Sequence, residues 1–206
     1  MPASLIYRNA GLYEAVMVAL YGRHYGSRYR AIADLIEAES SVLDLCCGPA
    51  VLYRRYLRAK AVRYTGLDVS EPFIEQLKRS NAEGFVWDLT SDRPLPSVDY
   101  VVMQASLYQF LPAAEAVVDR MLRAARKQVI VAEPIQNLTS SKSRLIAAFG
   151  RRFTDPGDGR SAHRFNEQTL TSFFEPYSPY IRQSFLIPGA REKVYVLDSN
   201  AHASDG

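Results

Sequence analysis

The chain has 206 residues, a formal net charge of +3, 48% hydrophobic and 23% charged residues, and two cysteines. This is enough for one ordinary domain with its own core, and no apolar run reaches the roughly 18 residues a membrane helix needs, so no membrane span is expected. Cys46 and Cys47 are adjacent, which excludes a disulfide framework or a paired-cysteine metal knuckle, and the mild charge argues against a nucleic-acid partner.

Residues 4–38 read as two helices, one around Leu12, Val16 and Leu20 and one around Tyr29, Ile32, Leu35 and Ile36, punctuated by Gly22 and Gly26. The N-terminal segment lacks the basic start and small-residue cleavage site of a signal peptide, so a cytoplasmic protein is expected. Five short apolar runs follow, SVLDLC, VRYTGLDV, EGFVWDL, VDYVVMQ and KQVIVAE. Continuous apolar strands alternating with helices indicate a parallel sheet covered on both faces.

The first intervening helix is expected to start near Pro49 and to bury Leu52, Tyr53, Tyr56 and Leu57. Its basic end, with Arg54, Arg55, Arg58, Lys60 and Arg63, reads as a solvated helix terminus. The second has Ser70 as N-cap and Phe73, Ile74 and Leu77 inside; the third opens at Pro112 and ends in the basic run Arg123, Arg126, Lys127. The polar stretch 136–165, with TDPGDGRS at its centre, is expected to form a long loop with a short helix over 142–149. NEQTLTSFFE then reads as a helix, and YIRQSFLI and EKVYVLD as a hairpin joined by Pro188-Gly189-Ala190-Arg191.

Ligands of an open parallel sheet collect at the carboxyl ends of its strands, and three of these strands carry an aspartate at or near that end: Asp44, Asp68 and Asp88. Asp68 lies 68 − 48 = 20 positions after Gly48, the usual gap between a turn glycine and the acid that grips a ribose. A dinucleotide fingerprint would need glycines at 46, 48 and 51, where the chain has Cys46, Gly48 and Val51. Pyrophosphate needs that close backbone approach, and Asp44 beside the turn would repel it. A ligand with a ribose, an adenine and positive charge fits better, and S-adenosylmethionine (SAM) has all three.

Residues 41–133 resemble the core of the class I SAM-dependent methyltransferases. LDLCCGPA stands for the first motif, commonly Asp-x-Gly-x-Gly-x-Gly, with YTGLDVSEPFIEQLKR, EGFVWDL, VDYVVMQAS and KQVIVAEP following in the family's order. The resemblance implies an α/β, Rossmann-like fold with a mostly parallel seven-stranded sheet, a C-terminal antiparallel hairpin and N-terminal capping helices. It implies SAM as cofactor and S-adenosylhomocysteine (SAH) as product.

By the same resemblance Asp68 binds the ribose hydroxyls, Asp88 the adenine amine, and Asp44 orders the turn and the methionine amine. Val69 and Leu89 sandwich the adenine, while Cys46, Gly48 and Gln104 complete the cofactor set. Tyr7 is the N-terminal tyrosine that would touch the methionine end. The departures are Cys46 and Ala50 at the first and third glycine positions; a cysteine is tolerated there if its backbone angles are ordinary.

The whole chain reads as a single methyltransferase domain: helical cap 1–38, cofactor core 41–133, lid 134–165, C-terminal helix and hairpin 166–198 and tail 199–206. The run MQASLY replaces the Asn/Asp-Pro-Pro-Tyr motif of enzymes that methylate base amines, and the covered pocket favours a small or lipophilic acceptor. Glu133, His163 and Tyr108 are the candidate catalytic groups, His163 as a general base in the loop and Glu133 to orient or deprotonate the acceptor. Other readings of the same residues are a SAM-binding scaffold, an aminopropyltransferase and a nucleic-acid methyltransferase; a monomer or a homodimer is compatible with all of them.

Overall fold

Every residue of Ser41–Leu45 is buried, which a strand achieves only when both faces of its sheet are covered. The computed structural model describes residues 14, 17–18, 22–135 and 164–199, so Tyr7 and His163 lie outside the described residues. Along the chain, α1 (Tyr25–Ala33) precedes β1 (Ser41–Leu45), β2 (Arg63–Asp68), α2 (Glu71–Lys78), β3 (Glu83–Val86) and β4 (Val98–Gln104). Then come α3 (Ala114–Ala124), β5 (Ala125–Pro134), α4 (Glu167–Phe174), β6 (Ile181–Leu186) and β7 (Glu192–Asp198).

The seven strands form one sheet in the order β3-β2-β1-β4-β5-β7-β6. β1 to β5 pair in parallel, and β7 enters antiparallel between β5 and β6. This is the Rossmann-like methyltransferase architecture expected above. The winding reverses between β1 and β4, which opens a crevice at their carboxyl ends.

Alternation splits the core between the two faces. Leu43, Leu45, Val101 and Met103 pack with α3 and α4, while Val42, Tyr100 and Val102 pack with α1 and the helical segment after β1. Gly66 in β2 lies under tight packing: a Cβ there would lie 2.5 Å from Leu77 Cδ2 and 2.8 Å from Cys47 Sγ, so both side chains would have to shift.

Several local expectations are corrected. Helix begins at Val51, after Pro49, and widens to a π-helical turn over Tyr53–Leu57. α3 begins at Ala114, two residues after Pro112, and Arg126 and Lys127 belong to β5, where they pair with Asp99 and Glu37. Ser70 is the N-cap of α2 without a side-chain capping bond. α4 instead carries a full capping box, Asn166 and Thr169 each accepting the other's backbone N–H. No helix among the described residues is long and apolar enough to cross a membrane.

Candidate functional site

β1 passes directly into a turn in which Cys46, Gly48 and Ala50 all have left-handed backbones, with φ of +55°, +53° and +52°. The condition under which a cysteine is tolerated at position 46, an ordinary backbone, is therefore not met. Non-glycine residues in this region cost roughly 1–3 kcal/mol each and persist only where neighbours over-determine the path. Here Cys47 N–H donates to the Leu67 carbonyl at 3.0 Å, Ala50 N–H to the Cys47 carbonyl at 3.0 Å, and Gly48 N–H to Asp68 Oδ2 at 2.8 Å. A Cβ on Gly48 would meet nothing within 4 Å, so the crest of the turn borders open space.

Asp68 closes β2. Its Oδ1 accepts the Ser70 N–H at 2.8 Å, so each carboxylate oxygen holds one backbone amide and retains a lone pair. The residue is 9% exposed, and burial raises its pKa against the pull of those two amides. Trp87 N–H donates to the Asp68 carbonyl at 2.9 Å, joining the end of β3 to the end of β2 and bringing Asp88 to the same rim.

Asp88 is exposed, and the Thr90 hydroxyl and N–H, at 2.7 and 2.8 Å from Oδ1, hold its pKa below the usual range. Val69 is 69% exposed and Leu89 only 4%. Arg120 of α3 fixes this loop by donating to the Leu89 and Arg93 carbonyls, both at 2.7 Å. The Asp44 carboxyl sits inside the sheet, 3% exposed, and accepts the Tyr64 hydroxyl at 2.6 Å. Burial pushes its pKa to about 7, with the Asp68 charge adding to the shift and the Tyr64 bond opposing it.

Across the crevice, the ends of β4 and β5 carry a second polar group. Glu133 is 1% exposed, and its Oε1 accepts the N–H groups of Ser106 and Leu107 at 2.7 and 2.8 Å, tying the turn after β4 to β5. Its Oε2 is buried without a hydrogen-bond partner, as is Nε2 of Gln104. Burial raises the Glu133 pKa to about 7 despite those amides. Ala105, between them, has φ +50°. Tyr108 follows in a short 3-10 turn, Leu107–Phe110, half-buried, with the Arg164 guanidinium 4.6 Å from its ring centre.

Cys46 joins the two groups, because its thiol is raised by burial and feels Asp68, Asp44 and Glu133 as well as a bond to Ser106. Asp44, Cys46, Gly48, Asp68, Val69, Asp88, Gln104, Tyr108 and Glu133 thus all lie at the strand ends or the segments leaving them. Leu89 is the exception in access, since its side chain is in the core. Arg120 and Arg164 are absent from the sequence reading. Their carbonyl and ring contacts lie 27 to 56 positions away, and neither sits in a motif. Such an arrangement can hold a diol at Asp68 and keep a protonatable carboxyl dry at Glu133.

Residues 42–128 match the family described as "Methyltransferase domain". No curated protein matches the chain. Among solved structures, the methyltransferase in a complex with the Haloferax volcanii Trm112 methyltransferase activator superposes with TM-score 0.69 at 13% identity, covering 97% of this chain and 99% of that one. Magnesium protoporphyrin IX methyltransferase from Synechocystis PCC 6803, solved with SAH, gives TM-score 0.60 at 14% identity, covering 89% and 92%. The N-methyltransferase NodS from Bradyrhizobium japonicum WM9, also with SAH, gives 0.61 at 13%, covering 85% and 87%. At these identities the likeness is one of fold.

Proposed function

We propose that the chain, whose residues 42–128 match the methyltransferase-domain family, is a class I SAM-dependent methyltransferase that uses SAM as its cofactor and transfers the methyl group to a small-molecule acceptor seated at the ends of β4 and β5. The observation that carries this reading is that Asp68, at the end of β2, has both oxygens on backbone amides while Glu133, at the end of β5, keeps Oε2 buried without a partner. Asp68 has its amides in place and lone pairs left for two hydroxyls, and open space borders Gly48; both suit a ribose and an uncharged backbone approach. Asp88 keeps an oxygen for the adenine amine, with Val69 exposed beside it. Two buried polar atoms, Glu133 Oε2 and Gln104 Nε2, await partners at the neighbouring strand ends.

When bound, SAM supplies a methyl group already activated on a sulfonium, so the protein's work is positioning and exclusion of water. Gln104, placed in the cofactor set by the resemblance, is assigned to the acceptor instead: its buried Nε2 donates to an acceptor oxygen, and Glu133 Oε2 receives the proton that the acceptor hydroxyl or amine must lose. A pKa of about 7 leaves Glu133 divided between acid and base at neutral pH, as a general base requires. Tyr108 orients the acceptor from the adjoining turn.

Calorimetric titration with SAM tests the reading. Saturable one-to-one binding that is insensitive to salt is expected, whereas failure to bind SAM removes both the enzyme and the cofactor-scaffold versions. Acceptor binding that falls steeply with salt would instead indicate a nucleic-acid methyltransferase.

A further inference from the structure

We infer that the acceptor is an anion, a small organic carboxylate or phosphate whose charge is held by Arg164 and the Tyr108 hydroxyl. The inference rests on the methyltransferase reading and names the class of molecule its second pocket takes. Arg164 is half-buried and forms no ion pair with any described carboxylate; its partners are the Tyr108 ring, 4.6 Å from the guanidinium carbon, and the Tyr108 hydroxyl, 3.4 Å from Nη2. Since Tyr108 Oη accepts from Arg164, its own proton remains available to a second oxygen, and the two groups together present a forked donor set to an anion.

The cation is held in place before any ligand arrives. Phe165, the next residue, is buried against Phe173 with ring centres 5.4 Å apart, and Asn166 caps α4 immediately after. Arg164 therefore projects from a pinned segment, which lowers the ordering cost of binding. Its location is also the right one. Tyr108 leaves the turn whose amides rest on Glu133, and it lies within electrostatic reach of Glu133 and Cys46 as well as Arg164. Cys46 reaches Asp68 in turn. Asp68, Cys46, Glu133 and Tyr108 are coupled electrostatically from the end of β2 to the turn after β4, and Arg164 lies against the Tyr108 ring. An ammonium acceptor is disfavoured there, whereas an anion compensates a half-buried guanidinium that no described carboxylate pairs with.

The test uses the full chain saturated with SAH and three probes of matched shape: benzoate, phenyl phosphate and uncharged benzamide. Ligand-observed NMR titration is expected to give at least one anion binding about tenfold to a hundredfold more tightly than benzamide, the range for charge-assisted hydrogen bonds. Arg164→Gln should abolish that preference with SAH affinity unchanged. Tyr108→Phe, which keeps the stacked ring, should reduce it by about threefold, as for one neutral donor lost. Equal affinity for benzamide and both anions, or a preference that survives in Arg164→Gln, overturns the anion site while leaving the methyltransferase reading intact. Failure of the unmodified chain to bind SAH overturns that reading and the anion site with it.

Discussion

The two sides of the crevice are built on opposite principles. At β1 and β2 the acids are engaged: Asp68 holds two backbone amides, Asp44 holds Tyr64, and the left-handed turn is stitched to β2. At β4 and β5, Glu133 uses one oxygen to fix the turn and leaves the other buried and unpaired, Gln104 Nε2 is buried without a partner, and Arg164 meets Tyr108 but no described carboxylate. A pre-formed side accommodates a ligand that never changes, and an incomplete side is finished by its ligand. That contrast fits one constant cofactor and one selected acceptor.

Breaking the pre-formed side should have the largest effect. Asp68→Ala removes the acceptor for Gly48 and Ser70 together with the ribose ligand, and SAH affinity by calorimetry is expected to fall about tenfold to a hundredfold. Unchanged affinity would detach the cofactor from β2. On the incomplete side, Glu133→Leu strands the Ser106 and Leu107 amides and should cost about 1–3 kcal/mol in urea unfolding, whereas Glu133→Gln keeps an accepting oxygen and should unfold nearly like the parent. Equal stability of the two variants would mean that the turn does not depend on this carboxyl.

A pH series sharpens the same contrast. Asp44 rises from an ordinary 3.8 to about 7 and Glu133 from 4.5 to about 7, so the native state holds protons that the unfolded chain has released. The stability they contribute is complete below pH 4 and lost as pH rises through 7. Asp44→Asn removes one of these titrations and should flatten the decline between pH 4 and 7 by a few kcal/mol, up to about 4. An identical pH profile would show that Asp44 does not titrate in this window. The smallest effect is expected at Ala105, whose φ of +50° suits glycine. Ala105→Gly should stabilise by about 0.5 kcal/mol, seen as a small rise in Tm, and a fall would show that the methyl packs more than the backbone strains.

The strands and acids were legible because strand periodicity and turn punctuation are local signals. SVLDL, GLD and VDYVVMQ each carry their own pattern, and the 20-position spacing from Gly48 to Asp68 corresponds to a real hydrogen bond between those residues. What stayed hidden depends on partners distant in the chain. Nothing in the type of Cys46 announces a left-handed backbone; the β2 carbonyl and carboxylate that enforce the turn come about twenty residues later. The Glu133 hold on Ser106 and Leu107 and the Arg164 stack on Tyr108 likewise exist only once β4, β5 and α4 are assembled. Basic residues were misread for a related reason: Arg126 and Lys127 suit a helix terminus by charge, but their carboxylate partners place them in β5.

The most direct test of the central claim is a crystal structure of the chain with SAH. The ribose hydroxyls are expected on the Asp68 carboxylate, with the ligand passing over Gly48 toward Gln104 and Glu133. SAH bound away from these strand ends, or bound with Asp68 making no contact to its sugar, would contradict it.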